Sequence, residues 1–176
     1  MISKLPFSLK RWNRRQDGAT AVEFAIIAPV FFALIFSMVE TGWIMTKASM
    51  LDHAVGKSAR LIYTGQAPDQ GTLEQLICDE AYVFSNCREN IVVELVTVDD
   101  FTSIPDTAAT CTDASTATIA PVTTYTSGAG GEIVFMRVCI TTDVMVPGLG
   151  LGMQMAQTDS GRFQMVSSMA FMNEPF

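Results

Sequence analysis

Apolar residues dominate the chain from Phe24 to Val39, where no charged residue occurs. Extended to residues 19–45, this run would form a helix about 40 Å long, which is enough to cross a bilayer. Trp43 suits the membrane–water interface, where tryptophan is enriched. Pro29 is expected to bend the helix, and membrane helices tolerate proline better than soluble ones do. The pattern therefore predicts a transmembrane helix over residues 19–45.

The helical pattern continues beyond this segment as an apolar stripe. Its positions are spaced by three or four residues: Ile44, Ala48, Leu51, Val55, Ala59 and Ile62. Four charged residues lie mostly outside the stripe: Lys47, Asp52, Lys57 and Arg60. Gly65 and Pro68 predict the end of the helix at about residue 64. We interpret the stripe as the face that packs on a folded domain at 46–176, with a partner-binding face as the alternative.

One short helix and three strands are predicted after the long helix. The helix covers residues 73–84, with Thr72 as a possible N-cap. The first strand, Ile91–Val98, is rich in β-branched residues and carries Glu94 on one face. The other two, Glu132–Val146 and Arg162–Met172, alternate apolar and polar residues. In the second strand, Arg137 and Thr141 alternate with an apolar row. A small antiparallel sheet packed against the long helix gives an α+β fold.

Two connections lack a clear pattern. The segment at about 100–131 is rich in Thr, Ala, Ser and Gly, and it is long for a loop in a compact domain. We interpret it as an exposed loop tethered at Cys111, with a weak edge strand at Thr116–Thr126 as the alternative. Gly148–Met155 is a flexible apolar connection, for which contact with a neighbouring subunit or the membrane is the alternative to a plain linker.

Charge divides the chain into two parts of opposite sign. Residues 1–18 carry five basic residues and one acidic residue, whereas the remainder carries six basic and 17 acidic residues, a net charge of −11. By the positive-inside rule, the basic end stays in the cytoplasm and the domain is exported. An acidic domain cannot neutralise phosphates, which argues against a nucleic-acid partner.

All four cysteines lie in the exported part. Cys78, Cys87, Cys111 and Cys139 allow three pairings, and export favours disulfides over free thiols. Their spacing matches no zinc site, and the chain has a single histidine, so no metal is expected. We prefer Cys78–Cys87, which would join a helix to the turn after it, and Cys111–Cys139, which would join a loop to a strand.

No catalytic or cofactor-binding pattern emerges. His53 lies in the amphipathic helix without a Ser or Cys signature around it. Four aspartates in or near the long loop lack the spacing and glycine of a calcium loop: Asp99, Asp100, Asp106 and Asp113. We therefore expect a non-enzymatic protein without a cofactor.

One carboxylate, Glu23, lies just inside the apolar run. Ionisable groups inside a membrane are costly and are usually retained for a function. Cleavage after Gly18 would place a free amine on Ala19, one helical turn from Glu23, where it could offset the buried charge. A conventional signal peptide is disfavoured because no small-x-small cleavage site follows Val39. A twin-arginine signal is disfavoured by the polar residues after the arginine pair.

Residues 18–25, Gly-Ala-Thr-Ala-Val-Glu-Phe-Ala, followed by Pro29 and the apolar run, resemble the N-terminus of TadE-like proteins. These are pseudopilins or minor pilins of the Flp/Tad (tight adherence) system, a branch of the type IV pilus machinery. The resemblance covers Arg14–Trp43. The chain is much longer than the major Flp pilin, which indicates a minor component, and TadF and TadG relatives share parts of this motif.

The resemblance implies a type IV pilin-like fold and a defined processing site. A prepilin peptidase of the inner membrane would remove the basic leader at 1–18 by cutting between Gly18 and Ala19. Glu23 and Phe24 would then serve in assembly. The implied partners are other pilin and pseudopilin subunits and the Tad secretion machinery. The implied function is Flp/Tad pilus assembly and surface adhesion, without a cofactor.

The implied location is the bacterial inner membrane, crossed once, with the C-terminal domain in the periplasm. The resemblance leaves open whether the subunit enters the extracellular pilus. The alternative function is an uncleaved single-pass assembly factor or receptor with a periplasmic binding domain.

Overall fold

The computed structural model describes residues 18–66, 68–105, 109, 111, 123–146 and 162–175. The leader at 1–17, part of the loop at 100–131 and the connection at Gly148–Met155 lie outside the described residues. In the described part, three helices and three strands follow one another along the chain.

The first helix, α1, spans Ala19–Tyr63 and continues through Pro29 without a break. At its end, the Thr64 N–H donates a hydrogen bond to the Arg60 carbonyl at 3.1 Å. Gly65 follows with φ of 75°, a left-handed conformation that glycine adopts without strain. The glycine therefore ends the helix where the sequence predicted.

Two shorter helices follow, α2 at Gln70–Glu80 and α3 at Cys87–Asn90. The helix predicted at 73–84 thus begins and ends earlier, and its N-cap is Asp69, not Thr72. The Asp69 carboxylate accepts hydrogen bonds from the backbone N–H and the hydroxyl of Thr72, at 3.1 and 2.7 Å. These bonds satisfy the start of the helix, which explains the shifted boundary.

The strands form one antiparallel sheet in the order β1, β2, β3. They span Ile91–Val98, Ile133–Thr142 and Phe163–Met172. β1 has its predicted bounds, whereas β2 and β3 are shorter than predicted. The long helix packs on this sheet, so the predicted α+β fold is confirmed.

The core lies between the helices and one face of the sheet. Ala48 of the α1 stripe is half-buried. The other five residues of the stripe are buried: Ile44, Leu51, Val55, Ala59 and Ile62. They belong to one buried cluster with Leu73 and Ile77 of α2 and with the apolar row of β2: Val134, Met136, Val138 and Ile140. The predicted packing face of α1 is therefore confirmed.

The opposite face of β2 is also buried, although its residues include a charged one. Arg137 and Thr141 alternate with the apolar row as predicted, yet they are only 6% and 1% exposed. The Arg137 guanidinium forms an ion pair with Glu94 of β1 at 3.1 Å and lies 5.2 Å from the Phe135 ring. Ile104 lines a cavity together with Arg137, so the segment after β1 covers this face.

Two disulfides fix the connecting segments. Cys78 of α2 is bonded to Cys87 at the start of α3, and Cys111 is bonded to Cys139 of β2. The Cα–Cα separations are 5.7 and 5.2 Å. These are the two pairs preferred from the sequence. The second disulfide holds the segment after β1 against the sheet.

The outer edge of β1 is partly covered. Tyr125 lies beside Leu95 in a parallel bridge, with two backbone hydrogen bonds of 2.8 and 3.0 Å. The Tyr125 hydroxyl donates to the Pro68 carbonyl at 2.6 Å, and burial raises the pKa of Tyr125 to about 12. In the described part of Thr116–Thr126, the edge strand considered from the sequence is thus reduced to a single bridge.

Candidate functional site

The residues predicted for processing and assembly lie together at the start of α1. Gly18 is the N-cap residue and the helix begins at Ala19. Ala19 and Glu23 are four positions apart, so they lie one turn apart on the same side of the helix. Glu23 is exposed, and so is Phe24, at 67%. All four residues are therefore open to contact with another molecule.

The conformation of Gly18 does not require glycine. Its φ of −91° and ψ of −15° lie in the right-handed helical region, which every residue adopts. A Cβ atom at this position would have no atom within 4 Å apart from those of Gly18 itself and its chain neighbours. The described residues thus give no steric reason for a glycine here.

The first part of α1 is apolar and uncovered. None of the 21 residues from Ala19 to Val39 is buried, although most of them are apolar. At 1.5 Å per residue, this segment is about 31 Å long. Among the described residues, α1 is the one helix long and apolar enough to cross a membrane, and an 18-residue stretch of it has a mean hydropathy of 2.4.

Two hydroxyl groups near the end of this part of α1 are satisfied within the helix. The Ser37 hydroxyl donates to the Ala33 carbonyl at 2.7 Å, and the Thr41 hydroxyl donates to the Ser37 carbonyl at 2.8 Å. Such bonds to the preceding turn let a helix carry hydroxyls into lipid without leaving an unpaired donor. These two hydroxyls are therefore compatible with a membrane.

Glu40 marks the point where the domain begins to cover α1, inside the segment assigned to the membrane at 19–45. Its side chain is 2% exposed. One carboxylate oxygen accepts a hydrogen bond from the Met145 N–H at 3.0 Å, and the other accepts one from the Val146 N–H at 3.1 Å. Hydrogen bonds to an ionised group are stronger than neutral ones. Glu40 therefore fastens the chain after β2 to the helix.

Lys47 lies two turns after Glu40 and is also buried, at 6% exposure. Its Nζ donates to the Thr142 hydroxyl at 2.7 Å and to the Asp143 carbonyl at 3.4 Å. The Trp43 ring lies 5.7 Å from the same nitrogen, close enough for a cation–π interaction. The ammonium thus binds the end of β2 to α1.

Arg162, just before β3, completes this group of charges. Its Nε lies 3.0 Å from Asp143 Oδ1, and its Nη1 donates to Asn90 Oδ1 at 2.5 Å. Burial lowers the pKa of the Lys47 ammonium, an effect that the Asp143 and Glu40 carboxylates oppose and the Arg162 charge reinforces. We call these four charged residues the basal cluster: Glu40, Lys47, Asp143 and Arg162.

The pattern along the sequence missed the burial of Glu40 and Lys47. It marks Glu40 only as the end of the uncharged run, and its placement of Lys47 outside the apolar stripe is wrong. Counting back from Leu51 by four, three and four residues leads to Lys47, Ile44 and Glu40. The stripe therefore continues through both charged residues, and this spacing is the signal in the sequence that could have predicted their burial.

The residues weighed for catalysis or metal binding do not assemble into a site in the described structure. His53 is exposed on α1. One Asp100 oxygen accepts hydrogen bonds from the N–H groups of Thr102 and Ser103, at 2.6 and 3.0 Å, so it stabilises a turn. Asp106 and Asp113 lie outside the described residues. No group of His, Cys, Asp or Glu suited to a metal ion occurs in the described ranges.

The family model described as TadE-like protein matches residues 18–60. The match begins at Gly18, includes Glu23 and the whole uncovered apolar segment, and ends three residues before α1 does. It confirms the resemblance drawn from the N-terminal motif and is consistent with a TadE-like pilin of the Tad system. No curated protein and no solved structure shows significant similarity to the chain.

Proposed function

We propose that the chain is a minor pilin or pseudopilin that a prepilin peptidase cuts between Gly18 and Ala19, and that acts in Flp/Tad pilus assembly and surface adhesion. One observation carries this proposal: the TadE-like match at 18–60 coincides with an apolar helix whose first half the domain leaves uncovered. Before assembly, the helix crosses the inner membrane with its N-terminus in the cytoplasm and the domain in the periplasm.

Cleavage would create a positive charge that can pair with the Glu23 carboxylate. The new ammonium on Ala19 lies one helical turn from Glu23 in the same chain, and it can also reach the Glu23 carboxylate of a neighbouring subunit. A charge buried among apolar helices is strongly unfavourable without such a partner. Pairing between neighbours would therefore favour one axial register of the helices and disfavour others.

The uncovered segment offers a surface for that assembly. Its side chains point away from the helix axis in all directions, and Phe24, Phe31 and Leu34 are each more than half exposed. In a membrane they face lipid, and in a bundle of helices they pack against other pilin subunits. We propose a structural, non-enzymatic role for the chain, with the Tad secretion machinery as its partner.

The processing step is tested by intact mass and N-terminal sequencing of the protein purified from its native membrane. We expect a chain that begins at Ala19. A Gly18→Val variant should keep the same fold, because a Cβ atom there has open space around it, yet it should remain uncut. A wild-type chain that begins at Met1 would favour the alternative, an uncleaved assembly factor or receptor.

The assembly step is tested by replacing Glu23. We expect Glu23→Ala and Glu23→Gln to be cut and inserted normally but to fail in pilus assembly, because both lack the carboxylate. Thr20→Ala is a suitable control, since it alters an exposed side chain on the same turn without removing a charge. Normal pili in the Glu23→Gln strain would contradict the proposed ion pair.

A further inference from the structure

The end of the domain nearest the uncovered part of α1 carries a small apolar surface. Trp43 is 37% exposed and Met145 is 58% exposed, and Val146 beside it is half-buried. Glu40 holds Met145 and Val146, in the segment that follows β2, next to the helix through their backbone N–H groups. We call the surface formed by Trp43, Met145 and Val146 the basal rim.

The length of the uncovered helix places the basal rim at the edge of a bilayer. The segment from Ala19 to Val39 is about 31 Å long, and the hydrocarbon core of a bilayer is about 30 Å thick. The next residue, Glu40, is already covered by the domain. No exposed polar spacer therefore separates the lipid-facing helix from the domain, and the rim lies at headgroup depth.

The charges at this end of the domain are compensated, unlike those of the exported part as a whole. The basal cluster contains two acidic and two basic residues, whereas residues 19–176 carry a net charge of −11. Glu40 is bound by two N–H groups, and Asp143 is paired with Arg162 at 3.0 Å. A surface whose charges are already paired approaches a low-dielectric interface with a smaller desolvation penalty.

We propose that the basal rim is a membrane-contact surface that seats the domain in the headgroup layer of the bilayer crossed by α1. Tryptophan prefers the membrane interface, and methionine adapts its shape to irregular apolar surroundings. The proposal rests on the membrane location in the proposed function and adds a second contact with lipid. The domain is then held at a fixed height and tilt by the rim as well as by the helix.

The test uses the full-length protein in phosphatidylcholine vesicles containing lipids brominated at a shallow or a deep acyl position. Both native tryptophans are replaced, by Trp12→Phe and Trp43→Tyr, because tyrosine shares the interfacial preference of tryptophan and so preserves the rim. Three variants each carry one new tryptophan: Met145→Trp at the rim, Met172→Trp as a control and Phe31→Trp within the uncovered helix. Met172 is 50% exposed, close to the 58% of Met145, but it pairs with Ile133 at the opposite end of the sheet.

We expect shallow bromine to quench Met145→Trp, deep bromine to quench Phe31→Trp, and neither to quench Met172→Trp. Quenching of Phe31→Trp without quenching of Met145→Trp would overturn the membrane-contact surface and leave the membrane anchor standing. Quenching of Met145→Trp and Met172→Trp to the same extent would also overturn it, because the contact would then not be specific to the rim. No quenching of Phe31→Trp would overturn the anchor itself, and the rim with it.

Discussion

The Glu40 carboxylate gives the sharpest test of how α1 is held by the domain. It is buried at 2% exposure, and each of its oxygens accepts one backbone N–H bond, from Met145 and Val146. Its negative charge also offsets the buried Lys47 ammonium. Replacement with alanine would remove the acceptor for both N–H groups and the compensating charge in one step.

The expected loss follows from these contacts. A hydrogen bond to a charged group contributes about 1.5–3 kcal/mol, and removing one partner of a buried charge pair costs about 3–5 kcal/mol. The two effects share the same atoms and do not add, so Glu40→Ala should lower the free energy of unfolding by about 3–5 kcal/mol. Glu40→Gln keeps one acceptor oxygen and should lose about 1.5–3 kcal/mol.

The measurement is urea unfolding of the full chain in detergent micelles, with the disulfides intact, followed by near-UV circular dichroism. Asp79→Ala is the matched control, because it removes an exposed carboxylate from a helix and should change the unfolding free energy by less than about 0.5 kcal/mol. If Glu40→Ala behaves like this control, the carboxylate does not fasten the domain to α1, and the reasoning is refuted.

Two further predictions concern the periphery of the domain. The pKa of Tyr125 is raised to about 12 in the fold, whereas an unfolded tyrosine ionises near pH 10, so the stability of the domain should fall between these pH values. The unfolding midpoints at pH 8 and pH 11 should therefore differ less for Tyr125→Phe than for the wild type. An equal alkaline loss in both proteins would contradict this. Replacing Cys111 and Cys139 with alanine opens a loop with a sequence separation of 28, against 9 for Cys78 and Cys87. The expected losses are about 3.6 and 2.6 kcal/mol, and the reverse order in thermal unfolding would show that chain entropy does not decide the difference.

The order of helices and strands could be predicted from the sequence because helices and strands differ in the spacing of their apolar residues. The stripe from Ile44 to Ile62 repeats every three or four residues, which predicted the buried face of α1. In β2 and β3 apolar residues recur at every second position, which predicted the strands and the apolar row of β2 but not the burial of the opposite face of β2. The boundary of α2 was missed because Asp69 competes with Thr72 as the cap, and only the observed hydrogen bonds decide between them.

Burial of charged residues was harder to predict, for a physical reason. A charged side chain is buried only where a partner satisfies it, and such partners come from distant parts of the chain. Glu40 finds its partners 105 and 106 positions away, and Lys47 finds Thr142 95 positions away. Arg137 faces Glu94 through the strand register, which the sequence alone does not fix.

Neither disulfide includes a residue of α1, although this helix forms much of the core. A force applied along the axis of α1 from its N-terminus would therefore be resisted first by non-covalent contacts, because the backbone after Tyr63 links the far end of the helix to the domain. The apolar stripe, Glu40 and Lys47 would all be loaded at once in shear, because the helix would have to slide past the sheet. We expect this packing of α1 on the sheet to resist pulling far better than an interface whose contacts break one after another. When it fails, the helix should be extracted from the domain while both disulfides stay closed.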